Sequence, residues 1–384
     1  MIDMKKLLLV ILDGGADRGR SAFATAKKPY LDMLASNSNC GLWRGAVSGN
    51  KRSLSGIATL EILGYMEKDY PGRGYLEALG LDLKVPKEAL CLRGNFATVK
   101  EGKIVDRRAG RDHTGLEELV FDLNKNIPSI GNVRTKIYRL VGHRFVLMLF
   151  GKGLSKQVSD SDVSDKPEKI KPLDKTGDLT AGILNEYVEK AAKVLATSPV
   201  NKKRKLAANF LLLRSPGSFQ KPVPFEKKYG MNGCAISGMS VVVGVSRYLG
   251  LDILESQPAE LETDLFLRAR KALDALDSHD LVLLHINGLD VFSHDRDFPG
   301  KVKYLEKIDA EVFSQIVKLR NVNIAVICDH ITCSSTGEHE FGPVPLLIYD
   351  SQEEEDMQSR GFDEKTCQHS FLADNPMKKI MSVL

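Results

Sequence analysis

Four short, almost unbroken apolar runs dictate what this chain can fold into: LLLVIL (Leu7–Leu12), VLMLF (Val146–Phe150), LVLLHI (Leu281–Ile286) and IAVIC (Ile324–Cys328). Each has the length of a strand and lacks the polar alternation of a strand with one wet face, so burial on both sides is expected. Strands of that kind belong to a sheet covered by helices. Helical stretches do lie between the runs. Leu265–Leu276 (LFLRARKALDAL) sets Leu265, Ala269, Ala272, Leu273 and Leu276 on one stripe. Pro29–Ala35 opens with the proline favoured at a first helical position. The expected class is α/β, with a mainly parallel sheet flanked by helices. No run approaches the roughly 20 residues that cross a bilayer. The first run meets Asp13 and two glycines rather than a small-residue cleavage site, so no signal peptide is expected.

The chain has 384 residues, room for two domains. Its 43% hydrophobic and 27% charged residues exclude a disordered or fibrous chain. A net charge of +4, spread over the whole length, leaves no footprint for nucleic acid. The Cys residues (40, 91, 234, 328, 333 and 367) form no CxxC pair and read as reduced thiols of a cytoplasmic protein. From about 80 to 180 the apolar runs shorten and polar turns multiply, most densely in Gln157–Lys175. This texture marks a smaller unit, 79–184, inserted into a core made of 1–78 and 185–384. The charge runs Lys202–Lys205 and Glu353–Asp356 are expected to be solvated surface.

Acidic residues fall at the ends of three runs. Asp13 follows LLLVIL, Asp329 follows IAVIC with His330 next, and Asp290 comes four residues after LVLLHI with His294 four further on. An Asp after a strand can be a turn residue or a helix cap. In open α/β sheets, however, ligands gather at the carboxyl ends of strands, which could bring these residues and the nearby His339 together. Carboxylate and imidazole donors in such number suit Mn²⁺, Zn²⁺ or Fe, and they match a two-metal site with ions on the order of 4 Å apart. In Ser53–Gly64 (SLSGIATLEILG), Leu60 and Leu63 share a helical face and Gly64 sits where a C-terminal cap would fall. Ser55 is therefore expected at or just before a helix N-terminus, either as a cap or as a hydroxyl placed to receive a phosphoryl group.

On these residues the chain resembles the cofactor-independent phosphoglycerate mutases, in the shorter archaeal-type branch of the alkaline phosphatase superfamily. ILDGGADR (Ile11–Arg18), LEILGY (Leu60–Tyr65), GRGYLEALG (Gly72–Gly80), NFATV (Asn95–Val99), VDRRAGR (Val105–Arg111), GLDVFSH (Gly288–His294), ICDHIT (Ile327–Thr332) and EHEFGPVP (Glu338–Pro345) are similar to family segments. The resemblance implies an alkaline-phosphatase-like core with an inserted α/β lid domain. It implies interconversion of 3- and 2-phosphoglycerate through a phosphoserine on Ser55, at a site of two divalent ions, with Mn²⁺ ahead of Zn²⁺, Co²⁺ or Mg²⁺. One ion would be held by Asp13, Ser55, Asp329 and His330, the other by Asp290, His294 and His339. Arg107, Arg108 and Arg111, with Asp106 and Arg214, would bind the anionic substrate; His113 and His143 could act as acid–base groups on the glycerate, and the role is assigned to neither. The partner would be a small phosphorylated acid, not nucleic acid or membrane. Four positions depart from the pattern: Gly56 and Ile57 stand where the family has Asp and Thr, Gly342 replaces an Asp, and Phe150 replaces an arginine. They keep open a phosphatase, a phosphopentomutase or a weakened mutase paralogue.

Overall fold

The first apolar run lies at the middle of a sheet. In the computed structural model, which describes residues 6–46, 54–255, 264–352 and 361–383, the strand Lys6–Leu12 runs parallel to Leu281–Ile286 on one side and Val322–Cys328 on the other. Gly233–Ile236 and Asp252–Glu255 continue the parallel arrangement outward from Leu281–Ile286. Beyond Val322–Cys328 the sheet turns antiparallel through Val344–Tyr349 and Asn39–Trp43, and Leu372–Ala373 closes that edge. Leu7 through Leu12 are wholly shielded, as expected of a strand covered on both faces. Asp264 caps the helix Leu265–Ala275 by accepting from the Leu267 amide, and Asp297 caps Phe298–Ile308 by accepting from Gly300. Register then does the decisive work: Leu12 lies opposite both Ile286 and Cys328, so three adjacent parallel strands end at one level.

These elements belong to a unit formed by Met1–Tyr70 and Pro222–Leu384; a second unit spans Pro71–Lys221. The second unit is built on an antiparallel sheet. Ala89–Lys100 pairs with Lys103–Asp106, Arg144–Phe150 and Phe210–Ser218, and Val133–Arg139 joins Arg144–Phe150 to Ser129–Ile130. VLMLF is buried as expected except for the half-buried Phe150, within antiparallel rather than parallel pairing. The helices Leu116–Asn126 and Asp178–Thr197 press Leu119, Leu123, Leu184, Tyr187 and Leu195 onto Leu92, Phe96, Phe145 and Leu147. Its limits differ from 79–184 because Asp178–Thr197 and Phe210–Ser218 supply apolar residues to this core, which the polar texture before them conceals.

Within Lys202–Lys205 the lysines are exposed, but Arg204 turns inward and donates to the carbonyl oxygens of Ala109, Asp112 and Thr114. That correction follows from the open backbone at 109–114, whose carbonyls need donors. The run Glu353–Asp356 lies outside the described residues.

Candidate metal centre

The aligned strand ends place Asp13 and Asp329 side by side. Oδ1 of Asp329 accepts from the amides of Gly14 and His330, each at 2.9 Å, which turns Oδ2 toward the His330 ring at 3.2 Å. Oδ1 of Asp13 lies 3.2 Å from the same His330 Nε2. Asp290 and His294 occupy the helix Gly288–His294 one turn apart and so face the same way, with Oδ2 3.3 Å from Nε2. His339, on Glu338–Glu340, brings its Nε2 3.3 Å from Asp290 Oδ1. Gly14 makes the crowding possible. At φ +61° it passes so near Asp290 and Thr332 that a Cβ would sit 2.7 Å from an oxygen of each.

The hydrogen bonds fix which ring nitrogens face inward. Thr332 donates its hydroxyl hydrogen to Asp290 Oδ1 (2.8 Å), so it accepts from His330 Nδ1 (3.0 Å). Nε2 of His330 is therefore a lone pair, and burial pushes this ring's pKa down, keeping it neutral. That lone pair points at two carboxylate oxygens, of which Asp329 Oδ2 accepts no hydrogen bond. His294 Nδ1 lies 2.7 Å from the Gly337 carbonyl, which can only accept. A ring that donates there turns Nε2 inward, 3.1 Å from Nε2 of His339. Imidazole nitrogens and carboxylate oxygens crowded this closely are stable around cations and costly without them. The donor set fits divalent metal. Two groups of ligand atoms lie within 4.8 Å of one another: Asp290, His330 and His339, and Asp13, His285 and Asp329.

Ser55 joins this centre. It lies in the helix Leu54–Ile62, and its Oγ is 3.3 Å from His330 Nε2 in a buried position. The helix end that sets its register closes as the sequence implies. Gly64, at φ +79°, bonds its amide to Glu61, and Tyr65 bonds back to Leu60. Gly56 sits against helix Ser240–Leu249, where a Cβ would come within 2.8 Å of Val241 Cγ2. The side chain absent from that position thus has its space taken by Val241.

Sequence reasoning missed His285. It stands in the LVLLHI strand, fully buried, with neither ring nitrogen hydrogen bonded and Nε2 4.0 Å from Asp13 Oδ2. Burial pushes its pKa down to about 4, the neighbouring Asp329 opposing this only in part. The available signal was one imidazole inside an otherwise apolar strand.

The arginines belong to the second unit. Arg107 pairs with the buried Asp162 at 2.7 Å, and Arg214 reaches the same carboxylate at 3.8 Å. Asp106 accepts from the Arg108 amide, and Arg111 lies exposed on the same turn. His113 is exposed; His143 is buried. Burial, then the charges of Arg144, Arg108, Arg93 and Arg214, push the His143 pKa down to about 2, so it stays neutral. Sequence reasoning did not single out Arg73, Arg93 and Arg144. Antiparallel pairing sets Arg93 opposite Arg214 and Asn95 opposite Arg144. Glu77 offsets the buried pair Arg73 and Arg93, at 3.0 and 3.6 Å. Glu77→Gln is accordingly expected to cost about 3 kcal/mol or more, read as a lower urea midpoint with an unchanged slope. A midpoint equal to wild type would show that Glu77 does not offset these charges.

A family model described as 2,3-bisphosphoglycerate-independent phosphoglycerate mutase matches residues 35–201. The mutase of that name from Methanopyrus kandleri is 37% identical over 372 residues, covering 90% of this chain and 87% of the relative. Its counterpart from Pyrobaculum aerophilum is 36% identical over 385 residues, covering 95% and 93%. Among solved structures, the cofactor-independent phosphoglycerate mutase of Thermoplasma acidophilum is similar at 31% identity and a TM-score of 0.66, covering 99% of this chain and 100% of that one. A structure from Pyrococcus horikoshii is similar at 26% identity and 0.79, covering 99% and 97%.

Proposed function

The chain belongs to the 2,3-bisphosphoglycerate-independent phosphoglycerate mutases, isomerases by reaction, and from that premise we propose that it interconverts 3-phosphoglycerate and 2-phosphoglycerate through a phosphoserine on Ser55. The observation that carries the proposal is the Ser55 hydroxyl, buried and 3.3 Å from the inward lone pair of His330. On this reading Asp13, Ser55, Asp329 and His330 hold one divalent ion, and Asp290, His294 and His339 hold the other, with Mn²⁺ the metal proposed. Bound there, the ions would neutralise the phosphoryl oxygens and lower the pKa of the serine hydroxyl.

The rest falls to the chain. Ser55 Oγ bonds to phosphorus as the bond to the glycerate oxygen breaks. A place at or near a helix N-terminus would offer backbone amides to the phosphoryl oxygens. The glycerate must stay bound, present its other oxygen and take the phosphoryl group back. Holding a doubly anionic acid calls for forked cations. We assign that task, and the exclusion of water, to the second unit, with Arg108 and Arg214 joined by Arg93 and Arg144. Asp162 holds Arg107 and Arg214 in place. Arg111 and Asp106 complete the proposed set. A cytoplasmic location accompanies this reading, since all the cysteines are free thiols. Among the described residues, no helix is long and apolar enough to cross a membrane.

The test supplies metal-stripped protein with Mn²⁺ and 3-phosphoglycerate, without bisphosphoglycerate, and follows ³¹P NMR. A 2-phosphoglycerate signal with little inorganic phosphate is expected. Inorganic phosphate alone would make the protein a phosphatase, and no product at all would overturn the assignment.

A further inference from the structure

We propose that His285 is a further ligand of this centre, binding through Nε2 the same ion as Asp13 and Asp329. The inference rests on the reading that the centre takes divalent metal, and it adds a residue outside the set the family resemblance carries.

His285 lies next to Asp13's strand, paired in register with Ile11 two residues before the carboxylate, and the side chain is fully buried. A strand this deep has no structural use for an imidazole, whose two nitrogens each need a partner. Neither nitrogen has a hydrogen bond, so a satisfied core histidine does not describe it.

Distance separates the remaining roles. Nε2 stands 4.0 Å from Asp13 Oδ2, beyond any hydrogen bond. Two ligands held about 2.1 Å from one ion lie about 3 to 4 Å apart, depending on the angle between them. The separation therefore suits two atoms that share a cation better than two that share a proton. Asp329 completes the group within the same 4.8 Å span. Asp13 then faces an imidazole with each oxygen, Oδ1 toward His330 and Oδ2 toward His285.

The test loads the full-length protein with Co²⁺ and records proton NMR in water, where the ring N–H of each ligating histidine is strongly shifted. Shifted signals are expected for His285, His294, His330 and His339. His285→Gln is expected to lose one of them and to weaken Co²⁺ binding about 10-fold or more in equilibrium dialysis. Should the variant not fold, the wild-type spectrum decides alone, through one signal more than His294, His330 and His339 account for. Signals from those three only, with variant affinity equal to wild type, would overturn the role of His285 and leave the metal centre standing. No Co²⁺ uptake and no shifted signal would instead sink the metal reading itself.

Discussion

Ser55→Ala is expected to lower mutase turnover about 10⁴-fold or more, as loss of a covalent nucleophile does when no neighbour can replace it. Among the described residues of the centre, the other side chains within reach are carboxylates and imidazoles with their own places in the network, and Thr332 is committed to Asp290 and His330. The fold should survive. Ser55 is inside a helix, where alanine is at least as favourable, and its carbonyl still accepts from Thr59. Thermal stability should therefore change little. The same experiment distinguishes a chemical role from a structural one. Acid-quenched wild type given 3-phosphoglycerate should carry a phosphoryl group on Ser55 by mass spectrometry, and the variant none. Variant turnover within tenfold of wild type would remove Ser55 from the mechanism, whatever the metal content.

How far the sequence foretold this centre depends on the residue. Asp13 and Asp329 were legible because each ends an apolar run, and a parallel sheet brings the ends of adjacent strands to one level. Asp290 and His294 were legible from their place just beyond the LVLLHI strand, although the helix that carries them was not foreseen. His285 was not, because one polar residue in a buried strand looks like ordinary core until its neighbours are known. Arg73, Arg93 and Arg144 were hidden for another reason. Arg93 and Arg214 are over a hundred positions apart and become opposed only through antiparallel register. Sequence proximity had favoured Arg107, Arg108 and Arg111, of which Arg107 is held by Asp162. The limits of the second unit were hidden in the same way. A polar stretch such as Gln157–Lys175 looks like a boundary, yet Ile170 within it is buried in that unit's core and the chain goes on to add a helix and a strand.

Stripping the metal is expected to abolish turnover and to lower the melting temperature by about 10 °C, both restored by Mn²⁺. The second figure follows from linkage. Metal at about a thousand times its dissociation constant stabilises by about 4 kcal/mol, and a domain of this size moves about 2–4 °C per kcal/mol. Its structural source is the set Asp13, Asp290 and Asp329, held close together around imidazole nitrogens. The stripped protein should also grow weaker in acid. His285 ionises at about 4 in the fold against 6.5 as a free group. Between those values the unfolded chain binds a proton that the folded chain refuses, so stability falls as pH drops through that window and returns as it rises. The swing is about 3 kcal/mol for this group. Metal should suppress it, because an occupied Nε2 cannot take the proton until the ion leaves. Melting curves from pH 7 to 4, with and without Mn²⁺, read both effects. A flat metal-free profile would show that His285 is not neutral and buried as placed, and unchanged melting after complete metal removal would show that the carboxylates are not held together by cations.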